Sequence, residues 1–442
     1  MARGKAQLHE TAESERTSLL AGEAVARWFA DAATRRRLQA LAAWLRRQPG
    51  CDELTAHPAW PRAAAVLRPL LGTIHRGAPG EGPLGDPPGD ASSVMATPRC
   101  EAAAGGVRIV AWNILKGIAF EEICETLTAH PALRDADLLL LSEVDVGMVR
   151  SGNRHIAAEL GARLGRHWAF LPSFLELTKG PGAEGRVPGR NAIGLHGLAI
   201  LSRAAPRALW RCPLPDCFDA FAFSEKRFGR RAGLLAELPG PWIVGVVHLE
   251  VRGTPRCRAR QMEAFLAHLE RFRTARRLAR ETPVLIAGDL NSHTFARGSL
   301  HRAAAGALRL LAVPRHRLAR QLQAPWRAGR EPLFRHAARA GFTWKALNDR
   351  QPTASERLGR VEDWELLPAP WRERLAGGLG LRDRELGLRL DWFLGRGIDA
   401  AQVRSARTVP GLGRDRRPSD HAPIVLELHD ATAGPERGEG QG

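Results

Sequence analysis

Residues 284–293 read VLIAGDLNSH, and this stretch points to the architecture. Val284–Ala287 has strand length and is apolar at every position, as a strand covered on both faces must be. Gly288 ends the run, and Asp289 and Asn291 follow it. A carboxylate and a carboxamide are thus expected at the end of a rigid strand, where α/β sheets build their sites.

The same construction recurs outward along the chain. The strand predicted at Val107–Trp112 ends at Asn113, and Leu138–Ser142 ends at Glu143. Trp242–Val247 ends at His248, Leu390 precedes Asp391, and Asp420-His421 precedes Ile424–Leu428. A further apolar run, Leu198–Leu201, follows His196. Helical patterns at His155–Leu164 and Arg258–Leu278 lie between the runs, which makes this an α/β domain with a packed sheet core. One strand ending in Asp carries little information. Six strands ending in Asn, Glu, His, Asp/Asn, Asp and Asp-His are specific.

Six motifs carry a resemblance: AWNI (Ala111–Ile114), SEVD (Ser142–Asp145), VVHLE (Val246–Glu250), AGDLNSH (Ala287–His293), LDWFL (Leu390–Leu394) and PSDHAP (Pro418–Pro423). In this order they resemble the endonuclease/exonuclease/phosphatase family, the deoxyribonuclease I-like metal-dependent phosphoesterases. The resemblance covers roughly residues 107–430 and implies two facing mixed sheets flanked by helices.

The chemistry also follows from the residues. Phosphoester hydrolysis needs a metal to neutralise phosphate charge, a positioned water and donors for developing negative oxygen. Glu143 is the best metal ligand, with Asp420 as a second. Oxygen donors without a Cys or His cluster favour Mg2+ (or Mn2+) over zinc. Asn113 would orient Glu143 or bind the metal, and Asp289 would accept a proton from water while Asn291 holds phosphate oxygens. Asp391 and His421 are expected to form a carboxylate–imidazole pair, and His248 to donate to the phosphate or leaving group. Whether Asp289 or His421 activates the water is open. Asn153, Arg154 and His196 are candidates to line the substrate pocket.

The chain has 442 residues and a net charge of +18, with 60 Arg, 5 Lys and no Tyr. The charge invites a polyanion, but an Arg-rich, Tyr-free composition fits a compositional bias of the source equally well. The partner is therefore a phosphate ester, with nucleic acid narrowly favoured over phospholipid or inositol phosphate. A non-catalytic binding protein on the same scaffold is a distant alternative, because every motif acid is present. No apolar run is long enough to span a bilayer and no signal-like segment opens the chain, so a cytoplasmic location is expected. The six cysteines form no Cys-x-x-Cys pair, and free thiols are expected.

Residues 1–76 read as a helical extension, with Val25, Trp28, Phe29 and Ala32 and then Leu38, Leu41, Trp44 and Leu45 at helical spacing. Residues 77–104 read as a Pro/Gly-rich linker, 105–430 as the catalytic domain and 431–442 as a disordered tail. Within the domain, 301–390 is a helix-prone excursion with 18 basic against 9 acidic residues. Its tryptophans, Trp326, Trp344, Trp364 and Trp371, are expected to form its core rather than to stack on bases.

Overall fold

The computed structural model describes residues 31–80, 106–240, 242–327, 329–357, 385–412 and 417–429. The helical face at Val25, Trp28 and Phe29, most of the linker, Trp364, Trp371 and the tail lie outside these residues. Helices α1 (Ala32–Arg47), α2 (Cys51–Ala56) and α3 (Trp60–Gly72) lead into strand β1 (His75–Gly77). Then come β2 (Val107–Lys116), α4 (Phe120–Ala129), β3 (Leu138–Val146), α5 (Ile156–Leu164), β4 (His167–Glu176) and β5 (Leu195–Ser202). Strands β6 (Ala208–Pro213), β7 (Arg227–Gly229), β8 (Ala232–Leu238) and β9 (Trp242–Val246) precede the long α6 (Pro255–Ala275) and β10 (Val284–Asp289). The chain continues through α7 (Leu300–Ala312), α8 (Arg315–Gln323), α9 (Leu333–Arg339), β11 (Ala354–Arg357) and β12 (Glu385–Leu388). It closes with β13 (Asp391–Arg396), β14 (Val403–Thr408) and β15 (Ile424–Leu428).

Two sheets face each other. One has the order β1-β4-β5-β3-β2-β15-β14 with β7 on β4, and the other has the order β13-β10-β9-β8-β6. The strand alternation explains the layers. Ile109 and Ala111 of β2 and Leu285 and Ala287 of β10 fill the space between the sheets. Their neighbours Val110 and Trp112 turn to the layer of α1–α5, and Val284 and Ile286 turn to α6 and α9. This is the two-sheet sandwich flanked by helices that the resemblance implied. Strands β2 and β3 run parallel, as do β9 and β10, so their polar C-terminal ends meet at one edge.

The N-terminal extension is tied into the sheet. Leu38, Leu45, Leu54, Leu67 and Leu70 share a core with Leu139 and Leu141 of β3. Its last residues are not helical, because β1 pairs with β4 and covers backbone that would otherwise be an open edge. The excursion is likewise not helical throughout: β11 and β12 pair antiparallel, and Leu388 packs on Leu318 and Leu322 of α8. Trp326 and Trp344 are core residues as expected, with the Trp326 ring centroid 5.2 Å from that of Trp392. The free-thiol expectation fails for one pair. Cys217 and Cys257 form a disulfide that joins the loop after β6 to the start of α6. Their separation of 40 residues leaves no local spacing signal. No helix among the described residues is long and apolar enough to cross a membrane.

Candidate active site

Asp289 stands at the centre of the edge where the strands meet. It is the last residue of β10 and lies opposite Asp391, the first residue of β13. Gly288 makes this possible: its φ is +133°, and a Cβ there would stand 2.1 Å from the Val247 carbonyl oxygen. Only glycine lets β10 come so close to the neighbouring chain. The Asn291 backbone N–H donates to Asp289 Oδ1 at 2.8 Å, and the Asn113 amide donates to Asp289 Oδ2 at 3.2 Å. His248 Nε2 is 3.5 Å from the same oxygen and His421 Nε2 is 3.9 Å from it.

The Asn113 amide also donates to Glu143 Oε1 at 3.2 Å, while its own oxygen accepts from the Leu115 N–H. Asn113 thus bridges Glu143 and Asp289 through its amide. Glu143 sits at a bulge of β3, where the pairing with β5 shifts register between Ser142 and Val144. Its φ is +54°, a left-handed conformation that a glutamate rarely adopts. Non-glycine residues held this way cluster at functional sites, where the surrounding structure compels them.

His421 Nδ1 donates to Asp391 Oδ2 at 2.7 Å, so the expected carboxylate–imidazole pair is present. Trp112 Nε1 donates to the His421 carbonyl at 2.8 Å, and Ser419 Oγ donates to the Asn113 carbonyl at 2.6 Å. These bonds clamp the Asp420-His421 turn onto β2. The Thr353 hydroxyl accepts from the Leu390 and Asp391 N–H groups. That residue belongs to the excursion, and sequence reasoning did not single it out.

The electrostatics set these groups apart. Burial pushes Asp289 up to about 7, with Asp391 and Glu143 adding to the rise and His421 opposing it. Burial disfavours charge on His421, but Asp391, Asp289 and Asp420 outweigh it and hold the imidazolium well above its usual range. Burial also raises Glu143, yet Lys116, His196 and the Asn113 amide together bring its carboxyl below the ordinary value. His248 falls well below its usual range through burial and the nearby Arg231.

Two groupings of donors could hold a cation. Asp289, Asp391 and His421 offer ligand atoms within 4.8 Å of one another. There, however, Nδ1 of His421 is committed to Asp391 and the ring is positively charged, which opposes a second cation. Glu143 and Asp420 are the better pair. Both are carboxylates that keep some exposure to solvent. Glu143 also adds to burial in raising Asp420, a repulsion that a cation between them would remove.

Three of the weaker sequence candidates are spent differently. Asn153 accepts from the Ala192 N–H and donates to the Arg190 carbonyl, and Arg154 pairs with Glu159 and Glu121. Both fix loops. His196 alone faces the other site residues, paired with Asp145 at 2.8 Å.

The sequence model of the Endonuclease/Exonuclease/phosphatase family matches residues 110–421, and this span holds every one of the residues above. The chain belongs to the endonuclease/exonuclease/phosphatase family. No curated protein sequence matches it. Several solved structures are similar to this family member. The 3′-5′ exonuclease NExo from Neisseria meningitidis is 18% identical, with a TM-score of 0.41 and coverage of 73% of this chain and 100% of that one. The human Nocturnin catalytic domain with bound sulfate is 17% identical, with a TM-score of 0.39 and coverage of 73% and 93%. An AP endonuclease from Archaeoglobus fulgidus is 17% identical, with a TM-score of 0.40 and coverage of 73% and 99%.

Proposed function

We propose that this protein hydrolyses phosphodiester bonds by metal-assisted attack of water. The observation that carries the reading is the contrast at Asp289. A carboxylate pushed up to about 7 lies 3.9 Å from an imidazolium that Asp391 holds charged. Acid–base catalysis works best when the proton acceptor titrates near the working pH. Asp289 is therefore assigned the proton of the attacking water. His421 already carries its proton, so it donates to the phosphate oxygens or the leaving oxygen. Asn113 and the Asn291 N–H hold Asp289 in position, and His248 lies beside it to contact the phosphate.

Glu143 and Asp420 would hold Mg2+ (or Mn2+), as hard oxygen donors suit such ions. When bound, the ion supplies neutralisation of phosphate charge and a more acidic water.

Nucleic acid is the favoured substrate, and one observation supports it over a soluble metabolite. Helix α7 is fastened to the loop after Asn291 by Arg309, which donates to the Thr294 carbonyl at 2.9 Å. Helix α8, which follows, exposes Arg317 and Arg320. The described basic helices α7 and α8 thus follow directly on the loop that carries Asn291, where we expect a polyanionic backbone extending from the cleaved bond to run. Phospholipid and inositol phosphates remain the second reading. Turnover of DNA, RNA, sphingomyelin and inositol polyphosphates, each with Mg2+ and with EDTA, tests the assignment. Mg2+-dependent cleavage confined to the lipid or inositol esters would overturn the nucleic-acid reading, and no turnover of any would favour a non-catalytic scaffold.

A further inference from the structure

The site contains a second carboxylate–imidazole pair that the chemistry above does not use. Asp145 of β3 and His196 of β5 are cross-strand partners, two residues beyond the bulge that presents Glu143. Asp145 Oδ1 accepts from His196 Nδ1 at 2.8 Å. The same carboxylate takes a two-pronged grip from Arg150, with Nε to Oδ2 at 2.7 Å and Nη2 to Oδ1 at 3.0 Å. Ser151 Oγ adds a long hydrogen bond at 3.4 Å. The side chains of Asp145 and Arg150 are 0% and 1% exposed, and that of His196 is 7% exposed.

The two pairs differ in what surrounds the acid. Asp391 keeps one oxygen, Oδ1, buried without a hydrogen-bond partner among the described residues, so its charge falls on His421. Asp145 is instead gripped by Arg150, which also faces Glu184 at 3.0 Å, so the carboxylate is fixed in place and orients the His196 ring. The bond to Asp145 occupies Nδ1 and leaves Nε2 with no hydrogen-bond partner among the described residues. The ring lies close enough to both Glu143 and His248 to shift them electrostatically, as His421 does from its own position. A strut that only joined β3 to β5 would need neither a ring nitrogen left unpaired nor a place within electrostatic reach of two site residues.

We propose that His196, oriented by Asp145 and Arg150, seats the substrate: its Nε2 binds a phosphate oxygen. This assignment rests on the phosphoesterase reading of the same site. It separates seating from chemistry: His196 is bonded to Asp145, while Asp289 and the Asp391–His421 pair carry the proton transfers.

The test uses the full chain and compares wild type with His196→Ala and His196→Gln. Turnover of bis(4-nitrophenyl) phosphate with Mg2+ gives kcat and KM, calorimetry gives the affinity for inorganic phosphate, and a thermal melt reports folding. Removing a charge-assisted hydrogen bond made equally in the ground and transition states should raise KM about tenfold to a hundredfold with kcat within about threefold. Phosphate affinity should fall by the same factor, the melt should stay in place, and the Gln variant should recover part of the loss. Asp145→Asn should resemble His196→Ala in KM, and the pair combined should be little worse than either. An unchanged KM and phosphate affinity in a folded His196→Ala would overturn the proposal. So would a loss confined to kcat or to the melting temperature. A wild type that binds phosphate but turns over nothing refutes the catalytic reading and leaves the seating to be judged by the calorimetric arm. A wild type that does neither refutes both.

Discussion

Removing His421 should damage stability and activity in ways that a second change can partly undo. Asp391 is 1% exposed, its Oδ2 is held by His421 at 2.7 Å, and its Oδ1 has no hydrogen-bond partner among the described residues. His421→Ala therefore leaves a buried carboxylate with nothing to balance it, and breaking a buried pair from one side costs about 3–5 kcal/mol. Asp391→Asn alone removes the charge instead and should cost far less. Combined with His421→Ala, it should restore most of the lost stability. The sign with pH follows. His421 is held well above its usual range in the folded chain, so the stability it contributes is fully present below the ordinary imidazole value and is lost as pH rises through the raised one. The deficit of His421→Ala should therefore be full below the ordinary imidazole value and should shrink in base. Activity should follow a different rule. Each single change should lower kcat/KM by about a thousandfold or more, as loss of an imidazole-orienting acid does elsewhere. The double variant should be little worse than His421→Ala, because residues acting as one unit are not additive. Urea titrations of the four proteins at two pH values, with turnover on one phosphodiester, complete the cycle. A His421→Ala variant as stable as wild type at neutral pH, or losses that multiply in the double variant, would show that the two residues do not form a unit.

Three further outcomes are expected. Glu143→Gln should weaken Mg2+ binding in calorimetry and cut turnover by about a thousandfold, with the melting temperature nearly unchanged because the shape is kept. Glu331→Ala should cost about 3–5 kcal/mol in urea titration, because it strands Arg258, whose side chain is 0% exposed and which pairs with Glu331 through Nη2 and Nε. It should also lower turnover, since Glu331 accepts from the Thr294 N–H in the loop that carries Asn291. Replacing Arg317 and Arg320 of α8 by Gln should flatten the salt dependence of DNA binding by about one power for each phosphate no longer neutralised, and should leave turnover of bis(4-nitrophenyl) phosphate alone. An unaltered salt slope would mark those residues as surface decoration.

How much of this was visible in the chain depends on the range of each interaction. The apolar runs at 107–112, 138–141, 284–287 and 424–428 have two covered faces, so their strand character and polar ends were legible residue by residue. The Asp391–His421 pair was legible because both residues stand at such ends. The bulge that turns Glu143 into a left-handed conformation was not, since it arises from pairing with β5 about 50 residues away. The Asp145–His196 pair spans 51 residues, and Arg258–Glu331 spans 73. Nothing local announces such pairings. Asp145 lay inside a quoted motif yet passed as a strand residue, because its partner appears only when β5 pairs. The excursion carries none of the polar residues of the six motifs, so nothing in its sequence marked it as support for the site. Thr353 and Glu331 show that it supports the backbone beneath Asp391 and the loop beyond Asn291. Short strands such as β1, β11 and β12 escaped notice for a related reason: three or four residues carry too little alternation to register before a neighbour supplies the hydrogen bonds.

If the carboxylates at these strand ends form a metal-dependent phosphodiesterase, turnover must follow the metal and must follow Glu143. The decisive experiment is hydrolysis of bis(4-nitrophenyl) phosphate by the wild-type chain stripped with EDTA and then titrated with Mg2+. Expected are no turnover in EDTA, recovery that saturates with Mg2+, and no recovery in Glu143→Gln at the same concentrations. Turnover undiminished by EDTA, or full recovery in Glu143→Gln, would show that the site does not work this way.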